Sequence, residues 1–437
     1  MTRDSFPITS SNLDGERAIG LRDHFREIYG GSCQIFRAPG RINLIGEHTD
    51  YNDGFVMPAA IQFNCWTAIA PTPNRAIDDR TIEVRSSQFH SDESRTFHLD
   101  RPKPHGDWSD YVQGVAAMLE SSGVRLPGAK MLIASDVPIG SGLSSSAALE
   151  VSVGLAFLST QTAEWDRRRL ALACQRAENE FVGARCGIMD QYVACHGKAG
   201  HLLMLDCRSL DHRLLRLPDE ARLVICNTMV KHSNAAGEFN LRRSECEEGV
   251  HLIAKKLPSV AALRDLSPSQ FEQWKSDLPP TIQKRCRHVI DENNRVVAAA
   301  DALESNDAPG PKNPEQAERL KRLGMLMAAS HQSLRDDYEV SSPELDLMVE
   351  LANQIPGVYG ARMTGGGFGG CTVNVVAAEA VPEFQDKVAA QYQAKTGIAP
   401  EIYVSAACEG AEQWPGAATK QPSGAHSSDN GSRSNDS

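Results

Sequence analysis

No stretch of the 437 residues holds the roughly 18 uncharged apolar residues that a membrane-spanning helix needs. The opening segment, MTRDSFPITSSNLDGERAIG, lacks the apolar centre of a signal peptide, so the expectation is a cytoplasmic chain that meets no membrane. Paired cysteine spacings are missing too. The eleven cysteines are an odd number and stand singly, as at Cys33, Cys65, Cys174 and Cys186, with no C-x-x-C. Neither a zinc ribbon nor a disulfide framework is suggested, and a reducing compartment suits them. Basic residues are outnumbered, 45 Lys and Arg against 56 Asp and Glu, giving a net charge of −11, and they are scattered. Without a positive stripe to neutralise a phosphate backbone, nucleic acid is not an expected partner.

The length suits two domains around more than one core. Strand-like runs (CQIFRAPGRINLIG, HLLMLDC, RLVICNTMV, GCTVNVVAA) mix with helical ones (AALEVSVGLAFLST, RRLALACQRAENEFVG, LDLMVELANQI) in no steady alternation, which predicts α+β and not a doubly wound sheet. Residues 1–25 read as an N-terminal extension, 26–210 as one domain and 211–410 as a second. Residues 411–437, rich in Ser, Gly, Asn and Asp, read as a disordered tail.

A further absence lies inside a motif. VPIGSGLSSSAALE, residues 137–150, resembles a phosphate-binding loop running into an apolar helix, yet Gly142 is followed by Leu143, Ser144, Ser145 and Ser146 where a P-loop has its lysine. A dinucleotide fingerprint opening at Gly140-x-Gly142 fails, because its third glycine position is Ser145 and a second helix follows instead of a parallel strand. A plain helix cap at Ser144 or Ser145 would explain one serine. Three serines after two glycines favour an anion, and hydroxyls can also ligate a hard cation such as Mg2+.

A cation needs carboxylates, and QRAENEFVGARCGIMDQY offers Glu178, Glu180 and Asp190. Glu178 and Glu180, two apart, cannot share a helix face, so at most one points inward; a solvated face is the plain alternative for each. Asp190 stands among Ile188, Met189 and Tyr192, where a carboxylate is partnered, functional or a helix cap. In RAPGRINLIGEHTDY, alternation puts Arg41, Asn43 and Ile45 on one strand face, and Glu47, His48 and Asp50 crowd the loop after Gly46. Zinc spacing is absent. A polyhydroxylated ligand suits crowded acceptors, whereas a salt-bridged turn explains the charges without the crowding. RMTGGGFGGCTV, residues 362–373, spends five glycines in six positions, and a ligand is expected against it.

In order and spacing, GRINLIGEHTDY, VPIGSGLSSSAALE, GIMDQY and RMTGGGFGGCTV resemble the galactokinases, a family of the GHMP kinases; the likeness continues through HVIDENNR and SHQSLRDDYEVSSPELD and covers about residues 30–405. The resemblance implies a ribosomal-protein-S5-like N-terminal domain, a ferredoxin-like α+β C-terminal domain, and ATP and galactose in the cleft between them. It implies transfer of the γ-phosphoryl group to the anomeric hydroxyl, with Mg2+ as cofactor. Residue by residue it makes Asp190 the catalytic carboxylate and Arg41 its cationic partner. Glu47, His48, Thr49, Asp50, Gly187 and Asp190 would bind sugar, and Gly140, Ser141, Gly142, Leu143, Ser144, Ser145 and Ser146 the phosphates. Ser146 and Glu178 would ligate Mg2+; Ser86, Trp108 and Tyr111 would lie on the adenine side, though both aromatics could be ordinary core. One departure stands out: the family usually has a tyrosine where this chain has Phe239, at a position implied to touch the sugar.

Three rival readings belong beside this one. A galactose and ATP sensor without activity would lack two residues of the serine loop, but Ser146 and Ala147 are both present. GHMP kinases for mevalonate or homoserine are not expected to carry GEHTDY. An N-acetylgalactosamine kinase would share most motifs and differ in room around the sugar's 2-substituent.

Overall fold

The computed structural model describes residues 10–72, 80–87, 94–161, 165–231, 235–304 and 314–415. The chain opens on α1 (Ser10–Tyr29), β1 (Gln34–Asn43), β2 (Phe55–Val56), β3 (Pro58–Pro71), β4 (Thr81–Ser86) and β5 (Ser94–His98). Then come α2 (Ser109–Ser121), β6 (Ala129–Ser135), α3 (Ser145–Leu158), α4 (Arg167–Arg176) and α5 (Met189–His196). After β7 (His201–Asp206), β8 (His212–Arg216) and β9 (Ala221–Lys231), the helices α6 (Ala235–Ala254), α7 (Pro268–Trp274), α8 (Pro280–Leu303), α9 (Pro314–Asp336) and α10 (Pro343–Asn353) follow. The chain closes with β10 (Val358–Thr364), β11 (Gly369–Ala377), α11 (Val381–Thr396), β12 (Glu401–Ser405) and β13 (Glu412–Trp414).

The first sheet has the order β13-β1-β3-β6-β4-β5, antiparallel except where β4 runs parallel to β6. Its two faces follow the period of two along β3. Cys65 and Ile69 join the large core beneath α2 to α5, while Trp66 and Ala68 face Ala18, Leu21 and Phe25 of α1. That apolar spacing of three and four residues makes α1 a helix docked on the sheet, so the extension expected to end at residue 25 continues to Tyr29. Its first nine residues lie outside the described residues. A three-stranded sheet, β2-β7-β8, sits beside this one, and the boundary expected at 210 falls in the turn joining β7 to β8.

The second sheet, β10-β11-β9-β12, is antiparallel throughout. With helices between β9 and β10 and between β11 and β12, this is the ferredoxin-like split βαββαβ order. Val224 and Cys226 face Met348, Phe384 and Tyr392 of its helical layer, whereas Leu223, Ile225 and Val373 point into the core shared with the first half. The expected two-domain α+β fold is thus present, its halves joined by continuous apolar packing.

The tail expectation needs correction at its start. Glu412–Trp414 pairs with β1, Trp414 stands edge-on to Trp66 with ring centroids 5.3 Å apart, and Arg37 donates to Glu412 at 2.8 Å. Three residues gain a sheet edge and an aromatic partner, which the polar composition of the whole segment conceals. Residues 416–437 lie outside the described residues. Among the described residues no helix is long and apolar enough to cross a membrane.

Candidate active site

Arg41 lies just past an irregularity in the pairing of β1 with β3, which turns the strand toward the serine loop. Its Nε and Nη2 donate to the two carboxylate oxygens of Asp190, each at 2.8 Å, a bidentate fork. Its backbone N–H donates to Leu143 O at 3.0 Å and its Nη1 to Gly142 O at 2.5 Å. Ser144 adopts a left-handed conformation, φ 60°, and its hydroxyl donates to Asp190 Oδ2. Ser144 therefore makes no side-chain cap on α3; the hydroxyl ties the loop to the carboxylate instead. Leu143 is buried and faces the loop's surroundings only through its carbonyl.

Beyond α4 the backbone widens into a π-helical turn, Ala177–Val182, ended by Gly183 at φ 90°. The turn separates the two glutamates as their spacing predicts. Glu180 is exposed and pairs with Arg176, whereas Glu178 is buried and within hydrogen-bond reach of Ser146. Glu178 Oε2 accepts from Gln191 Nε2 at 2.6 Å, and the same amide nitrogen donates to Glu150 Oε2 at 2.9 Å. Glu150 is fully buried and its other oxygen has no partner. Burial, then the charge of Asp190, pushes the Glu178 carboxyl up to about 7; burial and Glu178 push Glu150 well above the usual carboxylate range.

An orphaned buried oxygen and two crowded carboxylates beside Ser146 fit a divalent cation, which Ser146 and Glu178 could hold. Among the described residues no three His, Cys, Asp or Glu side chains gather as a ready-made cage. Mg2+ does not require one, since it takes one or two carboxylates and completes its shell with phosphate oxygens and water. Next to these serines a cavity of about 170 Å³ is lined by Ser86, Trp108, Tyr111, Ser145 and Ser146 with Cys65. The three residues expected on the adenine side thus line one cavity together with the first residues of α3.

On the other side of Asp190, Asp50 packs so closely on Gly187 that a Cβ there would overlap its carboxylate. Burial, then the charge of Asp190, raises Asp50 to about 6. His48, at φ 64°, places Nδ1 2.7 Å from Tyr51 OH, which lies 2.8 Å from Tyr338 OH. His48 Nε2 is buried without a partner, and burial holds the ring well below its usual range, hence neutral. Phe239 flanks it with ring centroids 5.4 Å apart. Two expected sugar contacts sit deeper. Thr49 is buried, its hydroxyl bonded at 2.8 Å to Gly46 O and 2.7 Å to Phe55 O, so it shapes the loop. Glu47 accepts from Asn43 Nδ2 at 2.7 Å and Gly365 N at 2.8 Å and pairs with Arg362 at 2.7 Å.

The glycine segment 362–373 packs against the serine loop. A Cβ on Gly365 would fall 2.8 Å from Gly142 O, and one on Gly370 2.7 Å from Ser141 O. Where a ligand was expected, the second half lays its backbone on the first half's loop. Arg362, Glu150 and Gln191 were missed as site residues. Each carried a signal: a lone charge inside the strand VYGARMT, a lone carboxylate in AALEVSVGLAF, and an amide beside Asp190.

A serine-rich turn at a helix start, a carboxylate–guanidinium fork and a βαββαβ half packed on the turn define the GHMP kinase class. Residues 110–198 match the GHMP kinase N-terminal domain and 312–394 the GHMP kinase C-terminal domain. A crystal structure of a mevalonate kinase, 17% identical with a TM-score of 0.56 over 86% of this chain and 99% of that one, shares the fold alone. Residues 23–71 match the galactokinase galactose-binding signature. The chain is 46% identical to a galactokinase of Chloroflexus aggregans (strain MD-66 / DSM 9485) over 366 residues, 83% of this chain and 89% of that one. It is 43% identical to a galactokinase of Roseiflexus sp. (strain RS-1) over 392 residues, 89% and 95% of the two. The structure of Lactococcus lactis galactokinase complexed with galactose superposes with a TM-score of 0.84 at 33% identity, covering 91% of this chain and all of that one. The chain belongs to the galactokinase family.

Proposed function

We propose that the chain transfers the γ-phosphoryl group of ATP to the anomeric hydroxyl of D-galactose, giving galactose 1-phosphate and ADP. The observation that carries this reading is the Arg41–Asp190 fork, joined by Ser144 to the serine loop on one side and bordered by Asp50 on the other. Residues 140–146 hold the phosphates through backbone N–H groups at the start of α3, and Ser86, Trp108 and Tyr111 line the adenine side. Glu47, His48, Asp50 and Phe239, with Gly187 making room, shape the sugar side. His48 Nε2 makes no well-formed hydrogen bond, with only the Gly366 backbone near the ring, and is available to a sugar hydroxyl.

The anomeric oxygen forms the new O–P bond as the bond from the γ-phosphorus to the β–γ bridging oxygen breaks, and that electron pair leaves with ADP. Asp190 accepts the hydroxyl proton, and Arg41 holds the carboxylate in line while presenting positive charge to the transferring group. Mg2+ at Ser146 and Glu178 would neutralise phosphate charge when bound. The eleven free cysteines accord with a cytoplasmic setting.

The unbroken serine loop speaks against a sensor without activity. Purified protein with ATP and Mg2+, offered galactose, glucose, N-acetylgalactosamine and arabinose, tests the reading through ADP release. Galactose should give the highest kcat/KM; release indifferent to galactose, or a preference for N-acetylgalactosamine, would reject it.

A further inference from the structure

His48 is held through one ring nitrogen, which leaves the other for a ligand. Nδ1 lies 2.7 Å from Tyr51 OH, Tyr51 OH lies 2.8 Å from Tyr338 OH, and Tyr338 OH lies 3.1 Å from Cys246 Sγ. The chain of hydrogen bonds runs from the loop after β1 to the segment just past α9 and on to α6. Tyr338 and Cys246 are buried, and the rings of Tyr338 and Phe239 pack on the imidazole with centroids 4.7 and 5.4 Å away. The imidazole is neutral, so one nitrogen carries a hydrogen and the other is bare, and the bond made by the first nitrogen sets the state of the second.

Each hydroxyl of the chain has a single proton, which leaves two directions. Running outward, His48 Nδ1–H donates to Tyr51, Tyr51 to Tyr338, and Tyr338 to sulfur. Running inward, Cys246 donates to Tyr338, Tyr338 to Tyr51, and Tyr51 to Nδ1. Either direction spends one weak bond on sulfur, so the imidazole end decides. There the 2.7 Å contact is that of a hydroxyl donor, shorter than the usual N–H bond of about 2.9–3.0 Å. The Gly366 backbone beside the ring also favours a proton on it, and with Nδ1 engaged by Tyr51 the nitrogen left to carry one is Nε2. We propose that Tyr51 holds His48 as the Nε2–H tautomer, so that the ring offers the sugar a hydrogen-bond donor. This rests on the reading of His48 as a sugar contact. Tyr51 is then a positioning residue, and the tautomer sets what the ring rewards, a sugar oxygen with a free lone pair. Fluorine in place of that hydroxyl keeps some accepting power; hydrogen keeps none.

Nitrogen NMR of the intact protein carrying isotope-labelled histidine, with the His48 signals assigned by their loss in His48→Gln, reads the tautomer directly. The parent should show Nε2 protonated and Nδ1 bare, and both signals should move when galactose binds. Calorimetry should find the parent favouring one deoxyfluoro-galactose over the matching deoxygalactose by about two- to fivefold in Kd. Tyr51→Phe should bring in the Nδ1–H form and shrink that preference. Tyr338→Phe removes a buried hydroxyl but leaves Tyr51 with His48 as its partner, so it should keep both the tautomer and the preference; a merely structural role for the hydroxyls would move both variants alike. A bare Nε2 in the parent would overturn the proposal whether or not the variants fold, and so would a Tyr51→Phe protein that keeps the parent's tautomer unmixed. Galactose that binds and leaves the His48 signals unmoved would remove His48 as a sugar contact and the proposal with it, whereas galactose that does not bind at all would refute the reading of the whole site.

Discussion

Replacing Glu178 by Gln should make the metal-free protein more stable at pH 8 while impairing its use of Mg2+ and ATP. The Glu178 carboxyl sits at about 7 against an ordinary 4.5, chiefly through burial and then through the charge of Asp190. A group whose folded value is raised binds its proton more tightly in the folded state, so the parent's stability falls as pH rises from 4.5 through 7 and is level above that. A rise of this size corresponds to about 3 kcal/mol of destabilisation once Glu178 is ionised. Gln does not titrate and still accepts from Gln191, but it gives up charge-strengthened bonds to Ser146 and Cys186, which returns about 1–2 kcal/mol. The net gain at pH 8 is then about 1–2 kcal/mol, an upward shift of the unfolding midpoint by about 1–2 °C for a chain of this size. Thermal unfolding of both proteins without metal, from pH 5 to pH 8, should show midpoints that coincide near pH 5 and separate through the window between 4.5 and 7. Adding Mg2+ and ATP at pH 8 should then raise the parent's midpoint more than the variant's. A gap independent of pH, or a variant less stable than the parent at pH 8, would refute the reasoning.

Asp190→Asn should leave ATP binding nearly intact and lower kcat by about 10²–10⁴-fold; turnover within a few-fold of the parent would remove Asp190 as the base. Arg41→Lys should also slow turnover, because a point charge cannot reproduce the two bonds of the fork to Asp190, and stopped-flow measurement of the transfer step would reveal an unaffected rate if the fork is dispensable. Phe239→Tyr, which adds a hydroxyl beside His48, should improve kcat/KM for galactose over its deoxy analogues by about two- to tenfold; ratios unchanged at every hydroxyl would mean that the ring does not report on the sugar.

Much of the site could be read from the chain because its parts are local. The serine loop, the Arg41 face of β1 and the separation of Glu178 from Glu180 follow from spacing within a few residues, whereas which of the two glutamates turns inward was implied only by the family resemblance. The α+β class and the helix after the loop came through for the same reason. What spacing could not supply was distant partnership. Gln191 bridges Glu150 and Glu178 from three different elements, and Arg362 meets Glu47 across more than 300 positions. The glycine segment marked a close approach without naming what approaches, which proved to include the serine loop's own backbone. β13 was hidden because its three residues depend on an edge strand and on Trp66 more than on their own composition.

The central claim is tested most directly by phosphorus NMR of the products formed from ATP, Mg2+ and galactose. One new sugar phosphate should appear, its phosphorus coupled to the anomeric proton, in step with an equal amount of ADP. Inorganic phosphate in place of the sugar phosphate, or an ester at any other carbon, would contradict it.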